Sequence, residues 1–324
     1  MKRFFLICAL IIFYILLFLT IENIFNLTKY HNDIYNRKIR FLIEKNQDAD
    51  ILFFGASTIL NSVIPEIFDN KLTEKSLKYR SFNIAMQGAT LPEIYLILKN
   101  IIRYKQNKIK YAFIGIAPDC LNKKLFSNNY FRNLADFNDF LKFRDFFTTD
   151  VFQKEFLYYF TRGIETFAIY PFANFFDIKE NYKIQRGYEI PNVITVVNGK
   201  INEFHYNQLL ELLNVMNNWS FDDYDKNFKA LNAIVKFCKN NNITPILFDV
   251  PLSQIAVDYI TKEKIDFYKL QISNFAKLHN IRYFRFSDIY STDLNDFADG
   301  LHLKFESAQK FTEYLAATFF NTLP

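Results

Sequence analysis

Short uninterrupted apolar runs alternate along this chain with longer segments whose apolar residues recur at helical spacing. Ile51–Phe54 is the first such run, set between Asp50 and Gly55-Ala56-Ser57. A continuous apolar stretch of that length suits a strand covered on both faces. From Ser81 the pattern predicts a second short strand, a small-residue turn around Gly88, and a helix over Leu91–Tyr104, where Leu91, Ile94, Tyr95, Leu98 and Ile101 keep helical spacing. Ile109–Ile116 predicts a third strand, stopped at Ala117-Pro118-Asp119 because proline has no amide to donate. Further on, the pattern predicts a helix over Asp225–Asn240, a strand over Thr244–Val250, a helix over Lys262–His279, a strand over Ile281–Phe286 and a last helix from Lys304 to about Phe320. Repeated strand–helix steps imply parallel strands joined by right-handed crossovers, hence an α/β doubly wound sheet of five strands.

Two segments fall outside that rhythm. Phe4–Ile21 carries no charge over 18 residues, is preceded by Lys2 and Arg3 and closed by Glu22, and is long enough to cross a bilayer as a helix. A cleavable signal peptide is the rival reading, but the exit sequence Leu19-Thr20-Ile21-Glu22-Asn23 lacks the small-x-small pattern of a cleavage site, so an uncleaved anchor is expected. The flanking charges oppose one another, with Lys2 and Arg3 before the run and Lys29, Arg37, Lys38, Arg40 and Lys45 after it, and they set no orientation. The expected division is an anchor over 1–22, a stalk over 23–48 with a helix from Tyr30 to Glu44, and a domain over 49–324. The second exception is an insertion at about 121–223, rich in aromatics at Phe146-Phe147, Phe156–Phe160 and Phe167–Phe176. Its plain expectation is a helical subdomain packed on the sheet; the sharper one is a lid, or an apolar face meeting the membrane or another membrane protein.

Composition narrows the function classes. With 324 residues, 50% hydrophobic, and 39 Phe and 20 Tyr against 7 Gly and 8 Pro, the chain is long and apolar enough for a sizeable core. A formal charge of +5 from scattered lysines reads as a solvated surface and not as a nucleic-acid footprint. Cys8, Cys120 and Cys238 are too far apart for a disulfide framework or a redox motif. No metal-type spacing and no glycine-rich phosphate loop occurs, so neither metal nor cofactor is expected.

Candidate chemistry sits at both ends of the domain. Ser57 follows the first strand directly, and ligands of open parallel sheets bind at the carboxyl ends of strands. By itself Gly55-Ala56-Ser57 is ordinary turn chemistry. Near the other end, Asp299-Gly300-Leu301-His302 places a carboxylate and an imidazole three residues apart. On a turn, that spacing lets Asp299 fix the tautomer of His302, or lets both face one crevice, although a plain Asp-Gly turn has the same look. If the chain brings them together, His302 takes the proton of Ser57 as the hydroxyl attacks an acyl carbon, and Asp299 stabilises the imidazolium.

Taken jointly, Gly55-Ala56-Ser57 after the first strand, Asn83 and Gly88 after the second, and Asp299-x-x-His302 before the last helix resemble, in order and placement, the blocks of the SGNH (GDSL-type) hydrolase superfamily. The resemblance covers the chain from about residue 49 to its end, apart from the insertion, and implies a flavodoxin-like sheet. It also implies Ser57 as nucleophile, His302 as base, Asp299 as its partner, and the amides of Ser57 and Gly88 as an oxyanion hole. One block departs: where the family has Gly-x-Asn-Asp this chain has Ile116-Ala117-Pro118-Asp119, so proline stands in place of the asparagine of the oxyanion hole. That altered block, with an N-terminal anchor, is similar to the membrane-tethered branch that works in alginate O-acetylation and in D-alanylation of teichoic acids. The likeness implies a membrane-bound O-acyltransferase as partner, an envelope glycan as substrate, and a single-pass protein of the cytoplasmic (inner) membrane whose domain faces outward.

The expected activity is therefore serine acyl transfer to an envelope glycan. An esterase of the same fold and a catalytically silent envelope scaffold are the alternatives. A classical α/β-hydrolase fits less well, because its Gly-x-Ser-x-Gly elbow needs glycine where Ile59 stands.

Overall fold

The computed structural model describes residues 48–104, 109–121, 131, 134–149, 151–153, 155–156, 186–191, 194–218, 221–288 and 293–323, together with Phe13, Lys38 and Leu42. In chain order the elements are β1 (Ile51–Phe54), α1 (Ser57–Leu60), α2 (Pro65–Thr73), β2 (Ser81–Asn83), α3 (Leu91–Tyr104), β3 (Tyr111–Ile116), α4 (Phe137–Lys142), β4 (Val196–Val197), β5 (Lys200–Ile201), α5 (Glu203–Asn217), α6 (Phe221–Asn240), β6 (Thr244–Asp249), α7 (Gln254–Ile260), α8 (Lys262–Leu278), β7 (Arg282–Phe284) and α9 (Phe305–Phe320).

Five strands pair in the order β2-β1-β3-β6-β7, every neighbour parallel. This is the flavodoxin-like doubly wound order, with its reversal of winding beside β1. Side chains of a strand point alternately to its two faces, and the strands are apolar on both. Ile51, Phe53, Phe113, Ile246 and Phe248 join a cluster with α2 and α9. Leu52, Phe54, Ala112, Ile114, Ile116 and Leu247 join a second cluster with α3, α6 and α8. The first face is an aromatic stack: Phe53 meets Phe68 and Phe113 at centroid distances of 5.0 Å each, and Phe113 meets Phe319 at 5.2 Å. Truncating a ring such as that of Phe113 costs about 3–5 kcal/mol through lost burial and the void left behind.

Several boundaries differ from the sequence expectation. The third strand begins at Tyr111 and not at Ile109, because the amides of Lys110 and Tyr111 both bond the Asp50 carbonyl before ladder pairing takes over. Helix α7 was not expected. It starts after Pro251 with Ser253 as N-cap, whose hydroxyl accepts from the Ala256 amide. Where the insertion is described it is helical and aromatic, with Phe131, Phe140, Phe143, Phe146 and Phe147 buried against Tyr95 and its neighbours on α3. Phe167–Phe176 lie outside the described residues. The insertion also holds the antiparallel hairpin β4–β5, built on Asn198-Gly199 with both residues at positive φ.

The expected membrane span at Phe4–Ile21 lies outside the described residues except for Phe13, which is helical and exposed. Among the described residues no helix is long and apolar enough to cross a membrane.

Candidate functional site

β1 delivers its last residue, Phe54, to the carboxyl edge of the sheet, and Gly55-Ala56 turn the chain into the short helix α1 with Ser57 as its first residue. That helix lies close to the sheet because two glycines leave room for one side chain. A Cβ on Gly55 would stand 2.2 Å from Ile59 Cγ1, and a Cβ on Gly115 would stand 2.1 Å from Ile59 Cδ1. Ile59 thus fills the slot between β1 and β3, two residues beyond Ser57, and its register fixes where the serine sits. Asn83, fully buried at the end of β2, secures the other end of α1. Its side-chain amide donates to the carbonyls of Ile59 (3.2 Å), Leu60 (3.3 Å) and Val63 (2.9 Å), and its oxygen accepts from the Ala85 amide at 3.0 Å.

The loop between β7 and α9 brings the second half. Asp299 Oδ1 accepts from the amides of Leu301 (3.0 Å) and His302 (2.9 Å), so the carboxylate closes its own turn and leaves Oδ2 for the imidazole. Oδ2 lies 2.7 Å from His302 Nδ1, and His302 Nε2 lies 2.9 Å from Ser57 Oγ. Sheet topology therefore joins residues 245 positions apart into one hydrogen-bonded series. The histidine is mostly buried, with 18% of its side chain exposed, and Asp299 somewhat less so at 34%.

Electrostatics fix the direction of that series. Burial alone raises the Asp299 pKa, but the hydrogen bond and charge of His302, with the amides of His302 and Leu301, outweigh it and hold the carboxyl below its ordinary value. An ionised Asp299 can only accept, so the proton sits on Nδ1 and Nε2 is left to accept the Ser57 hydroxyl proton.

The loop is tied down around these groups. The Ala298 amide donates to the His302 carbonyl at 2.7 Å, and the Ala298 carbonyl accepts from the amides of Thr195 (2.7 Å) and Val196 (2.9 Å) on the hairpin. Ser253, with no exposure at all, donates its hydroxyl to the Gly300 carbonyl at 2.5 Å and so joins the loop after β6 to the histidine loop. Sequence reasoning assigned nothing to Ser253.

Of the two amides that the family resemblance offers as oxyanion donors, that of Ser57 stands at the open first turn of α1, where ladder bonding begins only with the amides of Ile59 and Leu60 to the Ala56 carbonyl. Gly88 is exposed in the turn after β2 at φ +67°, a left-handed conformation that suits glycine, and a Cβ there would meet nothing within 4 Å. The turn hangs on the serine loop through the Met86 amide, which donates to the Gly55 carbonyl at 3.0 Å. Pro118 opens a short 3-10 helix, Pro118–Leu121, and offers neither an amide nor a polar side chain. Among the described residues no cluster of His, Cys, Asp or Glu is placed to hold a metal ion.

No family model and no curated protein matches the chain. A solved structure described as a putative acylhydrolase from Bacteroides fragilis NCTC 9343 is similar over 90% of this chain and 98% of its own length, at 13% identity and a TM-score of 0.40.

Proposed function

We propose that this protein transfers acyl groups through Ser57. The single observation that supports this reading is the hydrogen-bonded series Asp299–His302–Ser57 at the carboxyl end of the sheet. In the proposed step, Ser57 Oγ bonds the acyl carbon while its proton passes to His302 Nε2. The same imidazolium, stabilised by ionised Asp299, then protonates the departing alkoxide. A second hydroxyl, deprotonated by His302, attacks the acyl-serine and leaves with the acyl group, restoring Ser57. The amides of Ser57 and Gly88 bind the oxyanion; each such donor is worth about 10²–10³ in rate.

In its finer form, the proposal is an O-acyltransferase of an envelope glycan. It would be anchored in the cytoplasmic membrane by Phe4–Ile21, with its domain on the outer side and a membrane-bound O-acyltransferase as acyl donor. The support is the apolar N-terminal run together with Pro118 in place of the asparagine, the two features that resemble the membrane-tethered branch.

Labelling by a fluorophosphonate probe tests the reading. The wild-type chain should be labelled at Ser57, and Ser57→Ala should abolish the adduct. A folded wild-type chain that stays unlabelled would make it a scaffold. Supplying an acyl-ester donor with and without an oligosaccharide hydroxyl acceptor separates transfer from hydrolysis, since a hydrolase releases the free acid at the same rate in both.

A further inference from the structure

Lys38 stands in the stretch that leads from the apolar N-terminal run into the domain, yet it is 1% exposed. Its ammonium donates to the carbonyls of Ala85 (3.0 Å) and Gly187 (2.7 Å) and pairs with Glu189 at 3.2 Å. Ala85 lies two residues beyond the last residue of β2, so Lys38 is fixed at the carboxyl end of the sheet, the end that carries Ser57. Residues 22–37 separate Lys38 from the apolar run, a span of about 25 Å if helical and at most about 60 Å if extended.

The same end carries exposed apolar side chains on segments bound to the histidine loop. Ile194 (62% exposed) and Val197 (63%) flank Thr195 and Val196, whose amides hold the Ala298 carbonyl. Phe204 (67%) is the second residue of α5, whose Leu209 packs in one cluster with Leu301. Ile190 follows the Glu189 that pairs with Lys38, and Phe305 stands three residues after His302, its ring 6.2 Å from that of Tyr188. Exposed apolar residues gathered around one site mark a surface that meets something apolar.

We propose that this face, with Ser57 and His302 in it, lies against the lipid bilayer that the N-terminal run enters. The occupant follows from where the chain is tethered: Lys38 ties the leading segment to the site end, so the membrane is within reach of that end. The inference rests on the membrane anchoring proposed above and adds an orientation to it. Its chemical consequence is that the acyl donor reaches Ser57 from the bilayer side.

Brominated lipids test it. In the full chain Trp219, the only tryptophan, is replaced by phenylalanine, and one tryptophan is introduced by Val197→Trp, by Phe204→Trp, or by Leu278→Trp. Leu278, 80% exposed, closes α8 just before β7 and so reports on the opposite end of the sheet. Each variant is reconstituted in phosphatidylcholine–phosphatidylglycerol vesicles with bromines near the headgroups, and flotation is recorded beside fluorescence. Side chains at an interface seat about 5–10 Å deep, so quenching at 197 and 204 should exceed that at 278 by about twofold or more. Equal quenching, stronger quenching at 278, or none at 197 and 204 because another part of the chain covers them overturns the orientation. Failure to float overturns the anchoring and the orientation together. None of these outcomes touches the serine chemistry, which the fluorophosphonate label reads independently.

Discussion

Two turns at the carboxyl end of the sheet each carry a carboxyl group, and the two are held in opposite states. In the histidine loop, Asp299 is surrounded by donors: two amides on one oxygen and the imidazole on the other, which keep it ionised against the cost of burial. After the Gly88 turn, Glu93 is buried in the first turn of α3. The amide and hydroxyl of Thr90 both bond its Oε2, at 2.8 and 2.9 Å, while Oε1 has no hydrogen-bond partner among the described residues. Desolvation dominates there and pushes the Glu93 pKa up to about 8. Depth and partners together separate the two: Glu93 is fully buried with donors on one oxygen, whereas Asp299 is partly exposed and has the imidazole beside its second oxygen.

If Asp299 acts by steadying His302, removing the imidazole should have the largest effect of any change at this end. His302→Ala is expected to slow the labelling of Ser57 by about 10²–10⁴-fold, the usual contribution of a positioned base, with an unchanged melting temperature. Undiminished labelling would leave the series without chemical use. Next in size is Gly115→Ala, where the nearest atoms to an added methyl are side-chain carbons of Ile59 and Phe248. Its methyl would overlap Ile59 Cδ1 at 2.1 Å, and overpacking of that kind costs about 1–3 kcal/mol in unfolding free energy. Ile59→Ala in the same chain, which removes both Cδ1 and the Cγ1 that would stand 2.3 Å from the methyl, should relieve the overlap and recover part of the labelling if the slot is what places Ser57. Gly88→Ala meets no neighbour, keeps the amide and bears only the left-handed strain of about 1–2 kcal/mol, so a fall in labelling beyond its loss of stability would show that the reacting group approaches this backbone closely, as an oxyanion donor requires.

These expectations also show where sequence was informative. The central strands β1, β3 and β6 could be placed to within a few residues because each is largely a buried apolar run, whereas β2 and β7 are three-residue strands with polar members that follow from the strand–helix rhythm, and Asp299 and His302 could be paired because their relation is local. Ser57 stood out through its place after the first strand, although its distance from His302 is a matter of topology that spacing alone leaves open. The Asn198-Gly199 turn between Val196-Val197 and Lys200-Ile201 is a hairpin signal that a search for longer strands passes over. Helix α7 has under two turns of pattern, too few to separate from a loop. Lys38, Ser253 and the Gly115–Ile59 contact leave no local mark at all, since each depends on a partner supplied by another strand or loop.

The smallest expected effect concerns Glu93 and bears directly on the contrast between the two carboxyl groups. Its folded pKa of about 8 lies above the ordinary glutamate value, so the unfolded chain releases this proton first as pH rises. Stability contributed by the neutral acid is complete below about pH 4 and falls as pH climbs toward 8, at a slope of at most one proton. Asp299 has the opposite sign: its lowered pKa contributes stability that is present above the ordinary carboxylate range and is lost as acid protonates the folded state. Glu93→Gln keeps the shape and stays neutral, so its unfolding free energy relative to wild type should rise by about 1 kcal/mol or more between pH 5 and pH 8, the equivalent of one pKa unit. Denaturant unfolding at the two pH values measures the difference. A constant difference would mean that Glu93 is ionised in the fold, and that the two turns hold their carboxyl groups in the same state after all.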